Sequence, residues 1–320
     1  MTRFQIGALG VMVALSTIVG SLSTAVAGPI NEFNLIALGN LTGNSEVEGR
    51  AFVGGNVSGN AKNFVTMAAG LNSPVSTSGL ADDDGLIIGG QLLSTVNVNN
   101  GANVRVSTAN AGATVNTNGG GSLTYNDAGV AGIAADVNNS VTGANAFFAG
   151  LTANSTIDDS DFNNLVFNAT PGTNGIAVFD LPTNFFSSRN GTYDLSGDLA
   201  ADLYVIRIAG TNLSASNALN PNSNEFNDPA FQSRIAYYFP DATTLNLNAL
   251  GGSVFASAAD LTLTTAVEGT VVANNVVLNG EIHLPTLEVS VPEPSSLGLL
   301  LLSTITIAIS TRRKPRGTAL

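Results

Sequence analysis

The stretch VEGRAFVGGNV, Val47 to Val57, returns twice further along the chain. Aligned without a gap, Phe52 to Val57 (FVGGNV) matches Ile87 to Leu92 (IIGGQL), and Val47 to Val57 matches Val267 to Val277 (VEGTVVANNVV). Ala51 and Val53 alternate with Arg50 and Phe52, and Gly54-Gly55 ends the run before Asn56-Val57 opens another. Alternation of period two marks a strand and the glycine pair a corner, so the repeated unit reads strand, corner, strand. Near the C-terminus Leu245, Leu261 and Leu278 recur every 16 to 17 residues, and Gly252 to Ala256 (GSVFA) precedes Gly269 to Ala273 (GTVVA) by 17. Units this short bury their apolar residues only by stacking on one another.

The expected fold class is therefore mainly β: an irregular parallel β-helix (solenoid) with one packed amphipathic helix. A β-sandwich of short antiparallel strands is the alternative. The 35 residues from Phe52 to Ile87 correspond to about two coils. Ala128 to Ser155 lacks strand alternation, and Ala134, Val137, Val141, Ala144, Phe147, Phe148 and Leu151 fall at helical spacing, which predicts the helix. The segments GIAVFDL, ADLYVIRIAG and SRIAYYF resume the strands, and Asn217 to Phe231 reads as a loop. FNLIALGNL (Phe33 to Leu41) and EIHLPTLEV (Glu281 to Val289) are the expected caps of the two solenoid ends.

Composition agrees with many turns. There are 35 Gly and 37 Asn, the residues that most readily take left-handed corners, and only 11% charged residues. Cysteine is absent, which removes disulfides, thiolate metal sites and a Cys nucleophile.

Both ends read as processing signals. Arg3 precedes the apolar run IGALGVMVALSTIVG, and Ala25 and Ala27 supply a small-x-small cleavage pattern, so residues 1–27 are expected to form a secretory signal peptide recognised by signal peptidase. A retained N-terminal anchor is the other reading. At the far end Pro292, Glu293 and Pro294 precede an apolar segment and the basic residues Arg312, Arg313, Lys314 and Arg316. This tripartite tail, residues 291–316 with a membrane segment at about 295–310, resembles a PEP-CTERM sorting signal, which implies exosortase as the processing partner. Leu297 to Ile309 would span about 20 Å as a helix against a hydrocarbon core of roughly 30 Å, which suits a transient inner-membrane anchor. An ordinary weak C-terminal anchor is the alternative.

Between them lies one domain, residues 28–290, holding 6 of the 11 Lys and Arg and 22 of the 23 Asp and Glu, a net charge of −16. So acidic a surface excludes nucleic acid and anionic lipid as field-driven partners.

FNLIALGNLTGNSEVEGRAFVGGNV (Phe33 to Val57) and GSVFASAADLTLTTAVEGTVVANNVVLNGEIH (Gly252 to His283) together resemble the choice-of-anchor A domain family. The resemblance covers about Phe33 to Leu287. It implies a secreted bacterial surface protein, adhesin-like or matrix-forming, with no known catalysis. Where the family usually has Leu-Ala-Pro this chain has Phe255, Ala256 and Ser257.

Chemistry-bearing motifs are sparse. His283 is the sole histidine, with Glu281 two residues before it and Glu288 beyond, and neither a Gly-x-Ser-x-Gly elbow nor His-Glu-x-x-His occurs. Its expected role is structural, and no catalytic residue is assigned. Asp82 to Asp84, and Asp158, Asp159 and Asp161, cluster hard oxygens of the kind Ca²⁺ takes, but neither run completes an EF-hand. Solvated acidic turns are the first expectation and a weak Ca²⁺ site the second; no other cofactor is expected. Three functional classes follow: a structural or adhesive surface protein meeting surface polysaccharide or neighbouring cells; a carbohydrate- or ice-binding module using hydroxyls such as Thr262, Thr264 and Thr270; and, last, a polysaccharide-acting enzyme with a carboxylate pair.

Overall fold

The structure is a computed structural model and describes residues 28–161, 163–181, 192–215 and 225–288. The chain is mainly β, with parallel ladders in a solenoid-like arrangement. Leu35–Ala37 runs along a first sheet, Leu41–Gly43 along a second face and Glu46–Val47 along a third, before Ala51–Val53 returns beside Leu35–Ala37. Nearly all the ladders are parallel, which a sandwich of hairpins could not give; Thr156–Asp161 against Asn164–Ala169 is the one antiparallel pairing among the described residues.

The gapless alignments of the glycine-containing stretch are ladder registers. Phe52 is the Cα partner of Ile87, and Val254, Phe255 and Ala256 pair with Val271, Val272 and Ala273. Stacked glycines make the corner. A Cβ on Gly54 would lie 2.2 Å from the carbonyl oxygen of Leu38, and one on Gly89 would lie 2.5 Å from that of Gly54. Only a residue without a side chain lets successive corners approach so closely.

Three expectations are corrected. Phe52 to Ile87 is one coil step rather than two, because the segment between Phe64 and Asp84 carries a long excursion without regular strand. Arg50, fully buried, ties that excursion down by donating to the carbonyls of Leu71, Ser73, Asp82 and Asp84. Second, Leu245 pairs with Leu261, but Leu261 pairs with Val276; Leu278 stands opposite Leu263. Third, FNLIALGNL is no cap. Leu35–Ala37 lies in the middle of the first sheet, between Ala51–Val53 and Val271–Leu278, and Ile282–His283 pairs with Glu46–Val47.

The chain thus builds outward from the centre, ending at Leu123–Thr124, then crosses back through the helix Val130–Gly150 and builds inward from Ile176–Leu181 to meet its own first strand. The crossing helix explains two separate cores. Inward-facing residues such as Leu35, Val53, Leu86, Leu261 and Val271 fill the coils. Ile36, Phe52, Ile87, Val205 and Val272 face outward from the first sheet and pack under Ile133, Val137, Val141, Ala144 and Phe148 of the helix. A sheet buried on both sides needs apolar residues at consecutive positions, which is why LIA, AFV and LII do not alternate with polar residues. Phe148 anchors the contact, its ring 4.8 Å from that of Phe255 and 5.3 Å from that of Tyr238.

Candidate functional site

With the first sheet covered by the helix, two faces remain toward solvent. On the second face the inward row is apolar: Leu213, Leu245, Leu261, Val276, Leu41, Val57 and Leu92 follow one another across the ladders. The neighbouring outward row is therefore Ser214, Asn246, Thr262, Val277 and Thr42, continued by Ser58 and Leu93. It carries no charge. Adjacent strands stand about 4.8 Å apart, so hydroxyl, amide and apolar groups are presented at a regular spacing.

An amide ladder fixes the corner beside this row. Asn275 Oδ1 accepts the backbone N–H of Asn40 at 2.7 Å, Asn40 Oδ1 that of Asn56 at 2.9 Å, and Asn56 Oδ1 that of Gln91 at 2.7 Å. Asp260 ends the ladder, accepting from Asn275 Nδ2 at 2.7 Å. A side-chain acceptor at the same place in each coil satisfies donors that the corner would otherwise leave without a partner.

The third face divides by chemistry. Asn116 donates to Asn97 at 2.7 Å and Asn97 to Asn63 at 2.9 Å, a polar ladder on one half. On the other half His283 lies between two carboxylates, Nδ1 2.8 Å from Glu268 and Nε2 2.8 Å from Glu281, and Glu48 accepts the N–H of Leu284 at 2.8 Å. Both ring nitrogens donate only in the imidazolium form. Burial lowers the His283 pKa, but the hydrogen bonds with Glu268 and Glu281 outweigh it and hold it above its ordinary value. Sequence spacing pointed to Glu281; Glu268, fifteen residues away on the adjoining strand, is found only through the ladder.

Other candidates fall differently. Asp84 is no solvated turn: it is buried, accepts from Arg105 at 2.9 Å, and Arg105 also binds Asp127 at 2.7 Å. Asp158, Asp159 and Asp161 lie on the exposed strand Thr156–Asp161, where Asp158 accepts from the N–H of Ser160 and Asp161 from that of Asn163. Among the described residues no group of three or more His, Asp or Glu is arranged to hold a metal ion. Thr262 and Thr264 do reach the second face, but Thr270 is fully buried, donating to the carbonyl of Phe33 and accepting from the N–H of Leu287. A shallow cavity lies by Ala149, Asp180, Leu181, Arg207, Ala209, Tyr238 and Pro240, where Arg207 pairs with Asp180 at 2.7 Å; among the described residues Asp180 is the one carboxylate lining it. Ala25, Ala27, Pro292, Glu293, Pro294, Arg312, Arg313, Lys314 and Arg316 lie outside the described residues. Among the described residues no helix is long and apolar enough to cross a membrane.

Parallel strands stack under one covering helix, and one open row carries regular uncharged side chains. Residues 26–284 match the family described as Putative Ice-binding-like adhesive domain, and the chain belongs to that family. Membership marks it as an adhesive, surface type of protein. No curated protein and no solved structure gives a match.

Proposed function

We propose that this chain is an exported surface adhesive, a parallel β-helix that binds surface polysaccharide or neighbouring cells through its second face. The observation that carries the reading is the uncharged row Ser214, Asn246, Thr262, Val277, Thr42, Ser58 and Leu93 on a backbone made rigid by the ladders and the amide corner. Rigid presentation reduces the ordering entropy lost on binding, so many weak contacts add up. Residues 1–27 and 291–316 are the export and sorting segments of this reading, giving a body of residues 28–290 released after transient anchoring, in the manner of a choice-of-anchor A protein sorted by exosortase. No catalysis and no cofactor enter the proposal.

The test is binding of the purified protein to whole cells and to immobilised polysaccharide, against variants carrying Asn246→Lys and Thr262→Lys. Loss of binding at unchanged melting temperature supports the face assignment; full binding by both variants overturns it. Export and sorting are tested by intact mass, expected to begin at Gly28 and end near Pro292 to Pro294. A species that keeps Arg312 to Arg316 would overturn the sorting half.

Ice is the second ligand to consider, favoured by the family description and by the aligned hydroxyls of Thr42, Ser58 and Thr262. Thermal hysteresis above buffer that is lost in Thr262→Lys would assign ice to this face.

A further inference from the structure

The two ends of the stacked coils differ in a way that assigns them different roles. At one end, inward-facing Leu86 and Val104 are fully buried, yet Leu123, next in the same column, is 39% exposed, and among the described residues no further coil covers it. Among the described residues Leu123–Thr124 pairs only with Asn103–Val106, and Val115–Thr117 only with Val96–Val98, so both strands present outward backbone groups that no described strand pairs. The Tyr125 hydroxyl at this end is buried without a hydrogen-bond partner, and Asn116 ends its amide ladder. Ser107 to Asn126 contains no charged residue, in a chain whose 28–290 segment carries −16.

The opposite end is closed. Ala177, Phe179 and Leu181 of its last strand in the first sheet are buried, and Ile157 packs against the same core from the antiparallel edge strand Thr156–Asp161. That edge bears Asp158, Asp159 and Asp161. Charge on an edge strand is the ordinary guard against edge-to-edge pairing, and it stands at one end alone.

We propose that the open end is an interface for a second copy of this chain, the two molecules meeting end to end across a two-fold axis with their Leu123–Thr124 strands antiparallel. The occupant follows from shape and charge together. What stops at this end is a coil cross-section with an apolar centre and ladders at strand spacing, and what continues such a column is another coil of the same outline. The 28–290 segment carries −16 overall, yet here neither copy contributes a charge. The closed acidic ends then face outward, so assembly stops at a dimer rather than growing into a fibre. In that dimer the adhesive faces of two molecules act together, although the interface stands or falls independently of what those faces bind.

The chain has no cysteine, so a single introduced thiol reports on its own partner. Full-length Thr124→Cys, oxidised mildly, is expected to run as a disulfide-linked dimer on a non-reducing gel, while Ser160→Cys at the closed end stays monomeric. Thr124 is exposed, so neither this change nor Thr124→Glu disturbs the core. Thr124→Glu is expected to shift the sedimenting species from dimer to monomer, weakening association at least tenfold with an unchanged circular dichroism spectrum. A Thr124→Cys chain that does not cross-link, equal cross-linking at both positions, or a Thr124→Glu chain that sediments like the parent would each overturn the proposal.

Discussion

Asn40 holds Asn56 across the corner between two coils, its Oδ1 accepting the Asn56 backbone N–H at 2.9 Å while the Asn56 side chain does the same for Gln91. The asparagine that follows the glycine corner is thus a connector between coils rather than only a turn former. Asn56→Ala removes one such hydrogen bond and strands the N–H of Gln91, and is expected to cost about 1 kcal/mol. Chemical denaturation measures it. The absence of any measurable loss would show that the ladder contributes nothing.

Glycines separate into those the stacking requires and those it does not. Gly54→Ala drives a Cβ to 2.2 Å from the Leu38 carbonyl oxygen, where backbone must move, and should destabilise by about 2 kcal/mol or more. Gly132 lies in the crossing helix with open space, nothing within 4 Å, where a Cβ would stand, and Gly132→Ala should stabilise by roughly 0.5–1 kcal/mol. The pair of melting temperatures, moving in opposite directions, is the check.

The helix is held by its aromatic contact. Phe148 is fully buried between Tyr238 and Phe255, so Phe148→Ala is expected to cost about 3–5 kcal/mol. Hydrogen exchange should then rise first in Val130–Gly150 and along the outer surface of the first sheet. Uniform loss of protection across all three faces would instead place the helix in the same cooperative unit as the coils.

His283, Glu268 and Glu281 make stability depend on pH with a definite sign. The folded-state pKa of His283 is raised, so its contribution is complete below the ordinary value of 6.5 and is lost as pH rises through the raised value. Melting temperature should therefore fall across the window above about pH 6.5, and the fall should be shallower in His283→Gln. Parallel pH profiles for the two proteins would exclude this pair of contacts as the source.

How much of this was legible in the chain depends on whether the signal was local. Gly54-Gly55 and Gly89-Gly90 announce close corners by themselves, because no other residue type permits the approach, and Phe52 opposite Ile87 follows from aligning them. The helix could be read from Val137, Val141, Ala144 and Phe148, since helical spacing lies within a few turns of one segment. The net acidity of residues 28–290 is likewise a sum over composition.

What only the tertiary structure decided is order and partnership. Nothing local in FNLIALGNL distinguishes an end strand from a central one; Leu35–Ala37 is central because Val271–Leu278, arriving more than two hundred residues later, closes against it. Glu268 meets His283, Asp84 meets Arg105 and Thr270 turns inward for the same reason: each depends on which strand the ladder sets alongside. A chain's own spacing fixes what its residues can form. Stacking between distant segments fixes which side of them meets water, and here it leaves one uncharged row open and, among the described residues, one coil end uncovered.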